Sequence, residues 1–147
     1  MTERYLRNRW YVAAWAHELD SGPLARTIME EPIVLFRGEG GAPAALEDSC
    51  AHRFMPLSMG KVENGCIECP YHGLVFDASG ACVSVPGQTK VPPGAAVRRY
   101  PVVERYRWIW IWMGDPALAD DTTIPDFHWN DDPAWVAVGD YFYVKGN

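Results

Sequence analysis

Apolar positions along this chain come in short runs, many of them β-branched or alternating with polar residues, and the runs are broken throughout by the twelve Pro and thirteen Gly. No stretch carries the 3.6-residue period of a long amphipathic helix with caps at both ends. The pattern predicts an all-β domain. Trp10 to Trp15 reads as the first strand, and His17 to Pro23 as a turn. Leu24 to Met29 and Ile33 to Arg37 read as strands broken by Pro32, and Gly38 to Gly41 as a flexible turn into Ala44 to Glu47.

Further along, Asn64-Gly65 is the strongest hairpin cue in the chain, with Cys66 to Cys69 as the strand leaving it. Leu74 to Phe76 and Cys82 to Val85 form a second hairpin around Ala78-Ser79-Gly80. Pro86 to Gly94 is a surface connector, after which Val97 to Val103 and Arg107 to Met113 return to strand. In Trp108-Ile-Trp-Ile-Trp112 a period of two sets three Trp on one face and Ile109 and Ile111 on the other, so both faces are expected to be covered by core packing. Asp115 to Asp121 predicts one helical turn. Ala134 to Val138 and Tyr141 to Lys145 predict a last hairpin around Gly139-Asp140.

At 147 residues the chain suits one domain with a real core. Its formal net charge of −6 argues against nucleic acid or an anionic membrane as partner. No apolar run is long enough to span a bilayer, and the basic start at Arg4 to Arg9 leads into a segment too short and aromatic for a signal peptide. A cytoplasmic location is expected. In a reducing compartment the four cysteines point to metal or buried thiols rather than to disulfides.

The chemistry concentrates in two Cys/His pairs, Cys50-Ala-His52 and Cys69-Pro-Tyr-His72, with sixteen residues between His52 and Cys69. Each pair is close enough to sit on one tight loop tip, so a group clamped between two tips would receive one thiolate and one imidazole from each. Gly73 lets the backbone turn close to such a group, Pro56 and Pro70 stiffen the tips, and amides on the tips can point at the sulfurs. Zinc is a competing reading, because Cys50, His52, Cys66, Cys69 and His72 exceed the four ligands of a tetrahedral site and Cys66-x-x-Cys69 is a common zinc half-site. Cys50-x-His52 is unusual there. Unligated core residues would be the default for any one of these side chains, but not for four at this spacing.

The two pairs resemble the ligand set of a Rieske [2Fe–2S] centre, where two His replace two Cys on one iron. Several stretches are similar to the amino-terminal part of Rieske non-haem iron oxygenases of the vanillate O-demethylase and dicamba monooxygenase type. They are Arg7-Asn8 with Trp10 to Ala14, Cys50-x-His-Arg53 with Pro56-Leu-Ser58, Cys69 to Gly73 with Phe76-Asp77, and Trp110 with Gly114 to Ala117 and Ile124-Pro-Asp126. Ala51 departs from the family, which usually has Pro there.

The resemblance implies a Rieske fold: an antiparallel β-sandwich or barrel-like base over residues 1–147, with a small cluster-binding subdomain of hairpins inserted at about 48–86. It implies that Cys50 and Cys69 ligate one iron and His52 and His72 the other, leaving Cys66 and Cys82 unligated and buried. It implies an oxygenase component that takes electrons from a reductase of flavin or ferredoxin type and passes them to a mononuclear Fe(II), held by two His and one carboxylate, where an aromatic substrate is oxidised. Only His17 and His128 remain once His52 and His72 are used. The catalytic iron and its residues are therefore expected in a downstream domain, with none in this chain, and the full enzyme as a homotrimer. A stand-alone Rieske ferredoxin would share the motif but usually lacks the Trp10 and Gly114 to Ala117 stretches, and a zinc-binding interaction module is the remaining alternative.

Overall fold

The structure is a computed structural model and describes residues 4–140 and 142–145. Its regular structure is strand and short 3₁₀ turns, as the punctuated pattern predicts. The strands are β1 (Arg9–Trp15), β2 (Leu24–Ile28), β3 (Glu31–Arg37), β4 (Pro43–Glu47), β5 (Lys61–Glu63), β6 (Cys66–Glu68), β7 (Val75–Phe76), β8 (Cys82–Ser84), β9 (Val102–Arg105) and β10 (Trp108–Met113). They form three sheets, ordered β1-β10-β9, β2-β3-β4 and β5-β6-β7-β8, with every pairing antiparallel.

β3 explains how the sheets stack. Its centre, Ile33-Val34-Leu35-Phe36, is fully buried, and because strand side chains alternate between faces these four residues serve two cores. Ile33 and Leu35 pack with Ala13, Ala14, Ile109 and Ile111. Val34 and Phe36 pack with Leu46, Leu57, Ile67 and Phe76. The β2-β3-β4 sheet is thus the middle layer, covered on one face by the β1-β10-β9 sheet and on the other by the small four-stranded sheet.

The segment after the surface connector sews the layers together. Cys82 N–H donates to Ala95 O and Val97 N–H to Gly80 O, while Glu47 N–H donates to Arg98 O and Tyr100 N–H to Ala45 O. These bonds commit residues 95–100 to two different sheets, so the strand predicted from Val97 starts only at Val102.

Pro32 lies within β3 and does not break it. The break falls at Met29 and Glu30, both left-handed with φ of 53° and 65°, which form a two-residue hairpin loop between Ile28 and Glu31. Pro32 is tolerated because the β3–β4 ladder ends at Ile33↔Glu47, so no bond across that ladder needs a Pro32 N–H. Its carbonyl still accepts from Asp48 N–H at 3.0 Å.

Both faces of β10 are covered as expected. Trp112 meets Trp10 edge-on at 5.4 Å between ring centroids, and Trp108 meets Phe127 at 5.1 Å. The indole N–H groups of Trp10 and Trp112 donate to the carbonyls of Asp120 and Asp115. The helical turn predicted near Asp115 is a 3₁₀ turn at Pro116–Leu118, capped by the Asp115 side chain.

The hairpin predicted from Ala134 does not form. Residues 134–138 lie outside any strand, Asp132 caps a turn there instead, and Val136 and Val138 are exposed. A two-stranded ribbon with no sheet against it has little to hold it in water. Of its second half, Tyr141 lies outside the described residues, and residues 142–145 carry no strand.

Candidate metal centre

Residues 50–55 and 69–74 fold into two loop tips with the same hydrogen-bond pattern. In the first, Phe54 N–H donates to Cys50 O and Cys50 N–H to Met55 O, both at 2.9 Å. In the second, Gly73 N–H donates to Cys69 O at 3.0 Å and Cys69 N–H to Leu74 O at 2.8 Å. Each tip turns through one left-handed residue, Phe54 at φ 57° and Gly73 at φ 73°. A Cβ on Gly73 would lie 2.9 Å from Pro86 Cγ, so the second tip needs glycine for space as well as for conformation. The repeat is hard to see in the sequence, because phenylalanine fills the glycine-like position of the first tip and the histidine sits one residue earlier.

The tips bring the four predicted residues together as two pairs. Cys50 and Cys69 are each 1% exposed, both are free thiols, and they are neighbours within one core cluster. His52 and His72 are exposed, with ring centroids 4.8 Å apart and edge-on. Tyr71 stacks on His72 at 3.8 Å. Burial pushes the Cys50 thiol above its ordinary range, and the neighbouring Cys69 adds to this. Hydrogen bonds from the backbone of His52 and Arg53 pull the other way.

The donor set bears on which metal group it suits. Among the described residues no three His, Cys, Asp or Glu side chains gather closely enough to hold a single ion. A zinc ion needs four donors around one point. A group with two irons, each taking two protein ligands, fits one buried thiol pair and one exposed imidazole pair.

Cys66 opens β6 opposite Glu63 and is half-buried rather than buried, because it follows directly on the turn at exposed Asn64 and half-buried Gly65. Cys82 is buried as expected, opposite Phe76. His128 Nδ1 lies 2.9 Å from Asp126 Oδ2 in an exposed pair, and His17 lies in the 3₁₀ turn after β1.

One neighbour of the first tip carries no signal in the sequence. Asp48, just before the first tip, is 9% exposed. Its carboxylate accepts from Ser58 N–H at 2.7 Å and from Ser58 Oγ–H at 2.6 Å. An Asp-Ser pair after a strand looks like an ordinary turn, and only the fold shows that Asp48 points inward.

The family model for the Rieske [2Fe-2S] domain matches residues 9–101. Among curated relatives, the putative toluene-4-sulfonate monooxygenase system iron-sulfur subunit of Comamonas testosteroni is 51% identical over 97% of this chain and 41% of its own length. The oxygenase component of dicamba O-demethylase from Stenotrophomonas maltophilia is 53% identical over 97% of this chain and 42% of its own length. The crystal structure of dicamba monooxygenase with non-heme iron and dicamba superposes with a TM-score of 0.84 at 53% identity, covering 90% of this chain and 41% of that one. The chain thus spans about two fifths of the length of these relatives.

Proposed function

Because this chain belongs to the Rieske [2Fe–2S] domain family, we propose that it is the electron-transfer domain of the oxygenase component of an aromatic monooxygenase or O-demethylase. The observation that carries the reading is the two-plus-two arrangement, with buried Cys50 and Cys69 beside each other and exposed His52 and His72 ring to ring. We assign the thiolates to one iron and the imidazoles to the other. Bound there, the cluster supplies a site that gains and loses one electron.

The chain's own residues do the rest. The core around Cys50 and Cys69 keeps water from the thiol pair. The amides of His52 and Arg53 favour the charged form of the Cys50 sulfur. The imidazoles form the solvent-facing end of the site, and a partner reaches the site through them. The tips and the small sheet make up a cluster-binding subdomain at about 48–86, carried on the two larger sheets.

The likeness to named oxygenase components supports a separate reductase as electron donor. The mononuclear iron and the aromatic substrate are assigned to a part of the enzyme outside this chain, since only His17 and His128 remain as imidazoles. A homotrimeric assembly and a cytoplasmic location belong to the same reading, and no helix among the described residues is long and apolar enough to cross a membrane.

Reductive titration of the reconstituted chain tests this. It is expected to take up one electron per chain with bleaching of its visible absorbance, and to form no product from an aromatic methyl ether under dioxygen and reductant. A colourless chain that binds zinc, or product formation by the 147-residue chain, overturns the reading.

A further inference from the structure

Between the end of β4 and the start of β5, the chain leaves the middle sheet, forms the first tip and returns through a 3₁₀ turn at Leu57–Met59. Two sets of bonds close this excursion. The inner one is the tip's own pair, Cys50 N–H to Met55 O and Phe54 N–H to Cys50 O. The outer one is made by Asp48, whose two carboxylate oxygens take both donors of Ser58 while its own N–H is held by Pro32 O in β3. Asp48 is therefore fixed to the middle sheet by its backbone and grips the far leg of the tip by its side chain.

The placement decides what this grip does. A buried carboxylate must be fully hydrogen-bonded to be tolerated, and both bonds here go to one residue on the opposite leg. Neither goes to solvent. The first tip also has greater need of an outside support than the second. Its left-handed residue is Phe54, not glycine, so the turn is held against its own preference. The residue after its cysteine is Ala51, whereas the second tip has Pro70 to fix φ.

We propose that Asp48, acting through Ser58, is a positioning residue that sets the geometry of the Cys50–His52 tip and so the electronic state of the bound cluster. This rests on the assignment of Cys50 and His52 as ligands. Asp48 touches no ligand; it holds the two legs of the loop on which both stand, and the tip is expected to widen when the grip is lost.

The test uses the reconstituted chain carrying Asp48→Ala, Asp48→Asn, Ser58→Ala or, as a control, Glu31→Gln. The control loosens a carboxylate at the start of β3, bonded to Tyr100, Arg7 and Arg98 and outside the excursion over residues 48–58. Electron paramagnetic resonance of the reduced cluster and its midpoint potential are read beside the rate of cluster loss. Asp48→Ala and Ser58→Ala are expected to shift the g-values and the potential and to speed cluster loss several-fold. Asp48→Asn, which can still accept from the Ser58 amide, is expected to fall between them and wild type. Glu31→Gln is expected to keep the wild-type spectrum even if it lowers the melting temperature. Should Asp48→Ala fail to fold, Ser58→Ala decides. Wild-type g-values and potential in Ser58→Ala, or an equal shift in Glu31→Gln, overturn the positioning role. A wild-type chain without cluster overturns the ligand assignment instead.

Discussion

Cys66 and Cys69 look alike in sequence, each half of a Cys-x-x-Cys, yet the fold gives them different places. Cys69 is buried at the base of a tip in the same core cluster as Cys50, whereas Cys66 is half-buried at the start of β6, across from Glu63. Cys66→Ser is expected to leave the visible iron–sulfur absorbance in place, while Cys50→Ser abolishes it. The opposite pattern, read by absorption spectroscopy on the reconstituted variants, would move the cluster to another cysteine. The two Cys/His pairs were legible without a structure because their spacing alone limits each to one loop. Asp48 and the left-handed Phe54 were not, since burial and backbone handedness at an ordinary residue leave no mark on the pattern of types.

At the scale of elements, hairpins were legible where glycine announced them. Asn64-Gly65 forms the loop predicted, with φ of 50° and 74°. Met29-Glu30 and Tyr106-Arg107 adopt the same left-handed pair between paired strands without any residue that prefers it, because sheet pairing on both sides overrides local preference. Gly65→Ala is expected to destabilise the chain by about 2 kcal/mol or more, since its Cβ would lie 2.4 Å from Glu39 N in a left-handed turn. Denaturant unfolding measures this, and an unchanged midpoint would mean that the turn can rearrange.

Glu31, at the start of β3, joins elements from three parts of the chain. It accepts from Tyr100 Oη–H at 2.8 Å and pairs with Arg7 and Arg98 at 3.0 Å each. Burial alone would raise its pKa, but the Tyr100 and Arg7 hydrogen bonds and the Arg98 and Arg7 charges outweigh it and hold the carboxyl below its ordinary 4.5. A folded-state pKa below the unfolded one stabilises the fold above the ordinary carboxylate range, and that contribution is lost as pH falls through the lowered value. Glu31→Gln is therefore expected to lose about 1–2 kcal/mol at pH 7 and to show a flatter decline in stability below about pH 4.5. Equal acid sensitivity in wild type and variant, followed by thermal unfolding across pH, would contradict the assignment.

For the whole molecule, the all-β class and most strands followed from short apolar runs, but the stacking did not. The division of β3 between two cores depends on which sheets meet its two faces, and those contacts join residues far apart in the chain. The last hairpin failed for the complementary reason: Val136 and Val138 have the composition of a strand but no sheet against them. The middle layer is what brings the tips together, because β4 delivers the first from the same sheet against which β6, carrying the second, is packed.

That these tips hold two irons through two thiolates and two imidazoles is tested by metal and sulfide analysis of the purified chain beside its His72→Cys variant. About two irons and two acid-labile sulfides per wild-type chain are expected, with a cluster potential that falls in His72→Cys as a thiolate replaces a neutral imidazole. One zinc and no sulfide per wild-type chain would contradict it, as would an iron–sulfur cluster whose potential is indifferent to that substitution.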